Sequence, residues 1–238
     1  LTNLLHVVAW NIEHGKNVDQ AVEEISATPE LAEADILLVQ EMSPDSAAQL
    51  AAGLEMDHRY GAVADSCVTG KPFGNAVLSR WPIGESTTIP LPGTAPIQPQ
   101  PRCAVHATVV VDGQPVEAIS VHLETAFMRR SGRTGQARTL VHHRLANRST
   151  PTVIGGDFNS ASTGAVGALD RAMTNAGLSR ATDASVSTFT RFGLPFTLDH
   201  LYARGAHGLA AAATASGVIT AAEASDHLPI WTRIQIAN

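Results

Sequence analysis

The 238-residue chain is 44% hydrophobic and 16% charged, with a formal net charge of −6, the make-up of a globular protein with a sizeable core. No apolar run approaches the ~20 residues that span a bilayer, and the acidic balance argues against a protein that coats nucleic acid nonspecifically, because counterion release needs basic surface. Length admits one large domain or two small ones; the motifs below run from end to end and favour one, residues 1–238.

Leu4 to Ile12 is a largely apolar run that ends among polar Asn11, Glu13 and His14, and reads as a buried strand with polar groups at its carboxyl end. Asp19 to Ala34 has a helical pattern. Asp35 to Glu41 is a second buried strand, ending on an acid. Ser43-Pro44 supplies an N-cap and a proline at the first helical position. From Arg59 to Leu123 short strands alternate with turns: Gly74–Ser79, Cys103–Val111 and Val116–Leu123, with Asp112-Gly113 as a hairpin turn. Pro90 to Pro101 reads as a surface loop, because motifs fall on both sides of it. Arg133 to Ala146 is a helix with Ala137, Leu140, Val141 and Leu145 on one face. Strand Pro151–Ile154 runs into Gly-Gly-Asp157-Phe-Asn159, and a helix over Ala165–Asn175 stops at Gly177. Phe196–Tyr202 and Leu228–Ile236 are the last strands. Buried strands alternating with amphipathic helices describe an α/β layered domain with a site at the strand ends.

Charge is unevenly spread. No acidic residue lies between Glu124 and Asp157, whereas Arg129, Arg130, Arg133, Arg138, Arg144 and Arg148 all do. Such a segment is either a local anion-binding patch on an acidic body or a solvated helix face. Cys67 and Cys103 lack metal-ligand spacing and admit one disulfide or two buried free thiols. Leu1–Trp10 lacks the charged start and cleavage site of a signal peptide. An initial leucine fits a mature form after leader removal, and equally a cloning boundary; the compartment stays open, with the extracytoplasmic side favoured.

Six apolar strands carry a carboxylate, carboxamide or imidazole, most of them at the strand end: Asn11 with Glu13, Glu41, His122, Asp157 with Asn159, Asp199 with His200, and Asp226-His227. One such residue alone is a loop acid or a satisfied histidine; six together are hard to explain as packing. Carboxylates and a carboxamide without cysteine favour a hard cation, Mg2+ or Mn2+, over zinc. A hard cation suits phosphoryl oxygens.

The Asn11 strand, Gln40-Glu41, Gly74-Asn75…Ser79-Arg80, the His122 strand, Gly-Asp157-Phe-Asn159, Asp199 before an apolar residue pair, and Ser-Asp226-His227 resemble, in that order, the endonuclease/exonuclease/phosphatase superfamily. The resemblance spans Asn11 to His227; its specific motifs are Gly-Asp-Phe-Asn and Ser-Asp-His. It implies a four-layer α/β sandwich of the deoxyribonuclease I type, with two packed, mostly antiparallel mixed sheets flanked by helices. It also implies that Glu41 is the principal metal ligand, with Asn11 and Asp226 in or near the metal's shell. Asp157 then orients or deprotonates the attacking water, and Asn159 holds a phosphate oxygen. His227, oriented by Asp199, contacts the scissile phosphate, and Arg102 matches a phosphate-contacting position. Glu13 stands where some relatives carry an acid near the metal. Histidine at 122 sets the chain apart from the apurinic-endonuclease branch, which usually has tyrosine there. In deoxyribonuclease I the equivalent histidine leans on a glutamate before the middle strand; here that stretch is Lys71-Pro72-Phe73, so the acid is missing or comes from elsewhere.

The expected activity is Mg2+-dependent hydrolysis of phosphate esters. A nuclease cleaving phosphodiesters by in-line attack of water is favoured, and a phosphatase or phosphodiesterase acting on a phospholipid headgroup or inositol phosphate is the alternative. A catalytically silent binding module is disfavoured because the ligand set is complete. The expected partner is a phosphate ester, nucleic acid before others, with no membrane anchor and a monomeric chain. Four loops surround the site and choose the substrate: Ala64–Phe73, Pro90–Pro101, Phe127–Gly135 and Ser185–Phe196.

Overall fold

A computed structural model describes residues 3–97, 99–125, 128–144, 149–206 and 211–236. Phe127, Leu145, Ala146 and Arg148, and the Arg144 side chain, which bear on the helix, loop and charge expectations above, lie outside the described residues.

The architecture follows from where the apolar residues fall. Strand β1 (Asn3–Asn11) pairs in parallel with β2 (Ile36–Met42), and helices α1 (Val18–Ala27) and α2 (Pro29–Ala32) form the crossover between them. The expected single helix over 19–34 is broken at Thr28, whose extended backbone precedes Pro29, because a residue before proline is pushed out of the helical region. Ser43 caps α3 (Pro44–Gly53) with a capping box to Ser46. Strands β3 (Asp57–Asp65) and β4 (Pro72–Ser79) complete one side of this sheet. Strands β13 (Ala212–Val218) and β14 (Ile230–Ile236) complete the other, giving the order β13-β14-β1-β2-β4-β3.

The second sheet repeats the plan. Strands β5 (Ile83–Pro90), β6 (Cys103–Val111) and β7 (Gln114–His122) run antiparallel. Asp112 and Gly113 both take positive φ in the β6–β7 hairpin. Helix α4 (Arg130–Arg144) crosses over to β8 (Thr152–Asp157), which pairs in parallel with β7. After α5 (Thr163–Asn175), strands β9 (Ser179–Arg180) and β12 (Asp199–Arg204) close the order β5-β6-β7-β8-β12-β9. The strand expected over 196–202 is split: Phe196 belongs to a separate hairpin, β10 (Phe189–Arg191) with β11 (Leu194–Phe196).

Three apolar layers hold these elements. Val7, Leu38, Val105, Val153 and Leu201 belong to the core between the sheets. A second core joins α1 and α3 to the first sheet through Trp10, Ile25, Leu50 and Leu78. A third joins α4 and α5 to the second sheet through Leu140, Phe158, Leu169 and Tyr202. Each large side chain so buried contributes roughly 1.5–3 kcal/mol. Layered as helices, sheet, sheet and helices, the chain has the expected four-layer sandwich.

Both parallel pairs direct their carboxyl ends to one place. Asn11 registers with Gln40, and His122 registers with Asp157; Asp157 in turn faces Asp199 across β8 and β12. The sheets approach closely there. A Cβ on Gly156 would lie 2.1 Å from the Val121 carbonyl oxygen and 2.7 Å from Gln40 Nε2. Gln40 Nε2 reaches across to Ser120 Oγ at 2.9 Å. The Gly155-Gly156 pair is therefore a packing requirement that brings Asp157 within reach of the first sheet.

Candidate active site

Glu41, Arg102, His122, Asp157, Asn159, Asp226 and His227 all line one cleft of about 460 Å3. Asn11 and Asp199 stand behind it, hydrogen-bonded to residues that line it. All nine expected site residues are thus brought together.

Glu41 sits at a bulge in the β2–β4 register with φ of 60°. A bulge re-aims one side chain, and here it turns Glu41 toward β1. The Asn11 amide nitrogen lies 3.3 Å from Glu41 Oε1 and 3.3 Å from Asp157 Oδ2. The His14 backbone N–H donates to Glu41 Oε2 at 3.2 Å. Asn159 also has positive φ, 47°. A left-handed backbone at a non-glycine residue stores strain that the surrounding structure must hold.

Asp226 lies at the cleft's solvent-facing rim. Partial burial pushes its carboxyl up against the pull of His227, and the Glu13 and Glu41 carboxylates push it further. Glu13, on the turn Glu13–Gly15, pairs with Lys16, so it acts on Asp226 through the field. Ser225 Oγ donates to the Asn11 carbonyl at 2.7 Å and Trp10 Nε1 to the His227 carbonyl at 2.8 Å; both pin the Ser-Asp-His segment to the end of β1.

Two carboxylate acceptors orient the Asn11 amide, and its buried Oδ1 is left without a hydrogen-bond partner. Leaving such an atom unsatisfied costs about 1–3 kcal/mol. Beside Glu41 and Asp226 it completes an all-oxygen donor set that fits a hard divalent cation. Among the described residues no three His, Cys, Asp or Glu side chains form a metal-holding cluster. Two carboxylates and an amide are a sparser set, the kind that serves a cation keeping several waters.

The opposite wall is cationic. His227 Nδ1 lies 2.8 Å from Asp199 Oδ2, which also accepts from Thr188 Oγ1 at 2.6 Å. Burial opposes charge on His227, but Asp199, then Asp157 and Asp226, outweigh it and push the imidazole up to about 10. Asp157 Oδ2 lies 3.3 Å from His122 Nε2 and 3.8 Å from His227 Nε2. Burial favours its neutral form, yet these two histidines and the Asn159 N–H hold it well below the usual carboxylate range.

Asn159 is committed differently from the expectation that it holds phosphate. Its Nδ2 donates to the Leu123 carbonyl at 3.0 Å and to Asp157 Oδ2 at 3.2 Å, and its backbone N–H to Asp157 Oδ1 at 2.8 Å. In this structure it braces Asp157, and a phosphate contact requires it to give up one of these bonds.

Two other sequence readings change. Arg133 is only 7% exposed and its Nη1 donates to the Thr125 and Met128 carbonyls, so it leaves the anion-binding patch; Arg129, Arg130 and Arg138 are exposed. Cys67 and Cys103 are unpaired, and Cys67 is exposed rather than buried. Sequence reasoning also missed Thr188 behind Asp199 and the β10–β11 hairpin, which brings Phe189, Arg191 and Phe196 into the cleft. The Phe189 and His227 rings lie 4.6 Å apart. The hairpin tip holds Phe192, 89% exposed and at φ of 52°, under the Arg191 guanidinium at 5.3 Å.

Fold and cleft together define a phosphoester hydrolase of the deoxyribonuclease I-like type. The family model for the Endonuclease/Exonuclease/phosphatase family matches residues 8–227, and the chain belongs to that family. Among solved structures, an endonuclease/exonuclease/phosphatase from Beutenbergia cavernae is similar at 19% identity and TM-score 0.79, covering 99% of this chain and 72% of that one. D. rerio TDP2 complexed with a single-strand DNA product has 16% identity and TM-score 0.74, with 98% and 99% covered. A family protein from Bacteroides vulgatus has 17% identity and TM-score 0.75, with 99% and 100% covered. No curated protein matches the chain. Among the described residues no helix is long and apolar enough to cross a membrane.

Proposed function

We propose that the protein hydrolyses phosphodiester bonds in nucleic acid at a hard divalent-cation site, Mg2+ with Mn2+ as substitute, built on Asn11, Glu41 and Asp226. The observation that carries this reading is the position of Asp157. It lies 3.3 Å from the Asn11 amide on one side and 3.3 and 3.8 Å from the two imidazoles on the other, so it joins the oxygen-donor wall to the cationic wall. A cation held at the first wall supplies positive charge against non-bridging phosphate oxygens.

The residues' own chemistry divides the remaining work. Asp157, held ionised by its neighbours, orients the attacking water as a hydrogen-bond acceptor and takes up the proton that water loses as the new P–O bond forms. His227, charged at neutral pH, opposes the anionic transition state and donates a proton to the departing oxygen. Asp199 and Thr188 fix its ring. Arg102 adds positive charge on the same wall, beside His122. The aromatic and cationic hairpin wall favours a nucleotide over a bare phosphate ester, since bases stack on such surfaces. The similarity to TDP2 bound to a single-strand DNA product supports the same substrate class.

The test is a parallel panel with Mg2+: plasmid DNA, RNA, sphingomyelin, phosphatidylinositol phosphates and bis-p-nitrophenyl phosphate. Cleavage of nucleic acid well above the lipid substrates supports the proposal. Turnover confined to lipid headgroups or inositol phosphates contradicts it.

A further inference from the structure

His122 Nε2 lies 3.3 Å from Asp157 Oδ2. Phe73 packs 5.9 Å from the imidazole and under the Arg102 guanidinium at 5.3 Å. The second polar group on the ring is Arg102, whose Nη1 lies 3.1 and 3.0 Å from the two ring nitrogens. Arg102 is itself only 6% exposed. A buried guanidinium is costly unless an anion faces it, and the anion here is Glu124, fully buried, with Oε1 3.5 Å from Arg102 Nε.

Glu124 is held from several directions. Its Oε1 accepts from the Thr125 N–H at 2.9 Å and its Oε2 from the Ala95 N–H at 3.1 Å. Its own N–H donates to Gln136 Oε1 at 2.9 Å, and Gln136 Nε2 donates on to the Pro92 carbonyl at 3.2 Å. The carboxylate therefore ties the loop at Ala95 and the segment after β7 to a single guanidinium at the cleft, while the Glu124 backbone N–H anchors the residue to helix α4.

We propose that Glu124 is a positioning residue for catalysis: it holds the Arg102 guanidinium against His122 and the cleft. This rests on the reading of the cleft as a phosphodiester site. The alternative role for a buried, well-bonded carboxylate is structural only, and the two separate in a double-mutant cycle.

The experiment compares Glu124→Gln, Arg102→Ala and the double variant in hydrolysis of bis-p-nitrophenyl phosphate with Mg2+. Thermal melts establish that each is folded. The glutamine keeps the shape and removes the charge. Glu124→Gln is expected to lower kcat/KM about tenfold or more, the scale of one charge-assisted contact, yet to have less than about a twofold effect when Arg102 is already alanine. Independent, multiplying losses overturn the proposal, and so does unchanged kcat/KM in the folded variant. A second readout needs no turnover: the imidazole nitrogen resonances of His122, assigned by their loss in His122→Asn, are expected to move in Glu124→Gln while those of His200 stay. Unmoved His122 resonances overturn the proposal. Wild-type protein inert toward every phosphodiester overturns the functional reading and the catalytic part of the proposal with it, and His122 resonances that still move then support only the placing of Arg102 against His122 by Glu124.

Discussion

Asp199 and His200 are consecutive on β12, and their side chains leave opposite faces of the strand into two different buried polar regions. Asp199 faces the cleft and pairs with His227. His200 faces the helices, between Phe158 and Tyr202, where Arg180 Nη1 donates to its Nδ1 at 2.6 Å. Burial works against charge on both histidines. At His227 three carboxylates overcome it and push the ring up to about 10; at His200 the Arg180 cation adds to it and drives the ring down to about 3. A histidine that follows an aspartate is thus held charged or neutral by the groups its ring meets. On β12, alternation along the strand sends Asp199 to the cleft and His200 to the helices.

Replacing each histidine breaks the comparison most sharply. His227→Ala should cost on the order of a thousandfold in kcat, the scale of a lost acid or charge stabiliser. His200→Phe, which keeps a ring between Phe158 and Tyr202, should leave kcat within about twofold, as a substitution outside the reacting groups does. Steady-state kinetics on the folded variants checks both; a large kcat loss in His200→Phe would place the second region in the chemistry.

The smaller effect is on stability. His200 is depressed below its unfolded value of 6.5, so below that pH the unfolded chain takes up a proton that the folded chain refuses. Its contribution is present above pH 6.5 and is lost as pH falls toward 3, by an amount on the order of a few kcal/mol. Urea unfolding across this window should show wild type losing more stability than His200→Phe. Parallel pH profiles would contradict the assignment of a neutral buried ring.

Asn11, Glu41, His122 and Asp157 were legible because each stands at or next to the carboxyl end of an apolar strand, a pattern that packing alone does not produce. Glu124 carries the same signal two residues after His122 and was readable on that ground; its link to Arg102, which lies just ahead of β6, was not. Burial of Arg133 was hidden because a charge run says nothing about which member turns inward. β13 was illegible for another reason: its Ala, Thr and Ser residues are mostly exposed, and pairing with β14 rather than intrinsic preference holds it extended. The β10–β11 hairpin escaped notice because Phe192-Gly193 takes positive φ at both positions, a turn usually marked by Asn-Gly.

The proposed site has Asn11, Glu41 and Asp226 hold a hard cation that works with Asp157. Its most direct test is a Mg2+ titration of EDTA-stripped protein, following hydrolysis of bis-p-nitrophenyl phosphate by wild type and Asp157→Asn. Wild type should fall to background on stripping and recover saturably with Mg2+, while Asp157→Asn stays near background throughout. Wild-type turnover indifferent to EDTA, or Asp157→Asn recovering with it, would contradict the account.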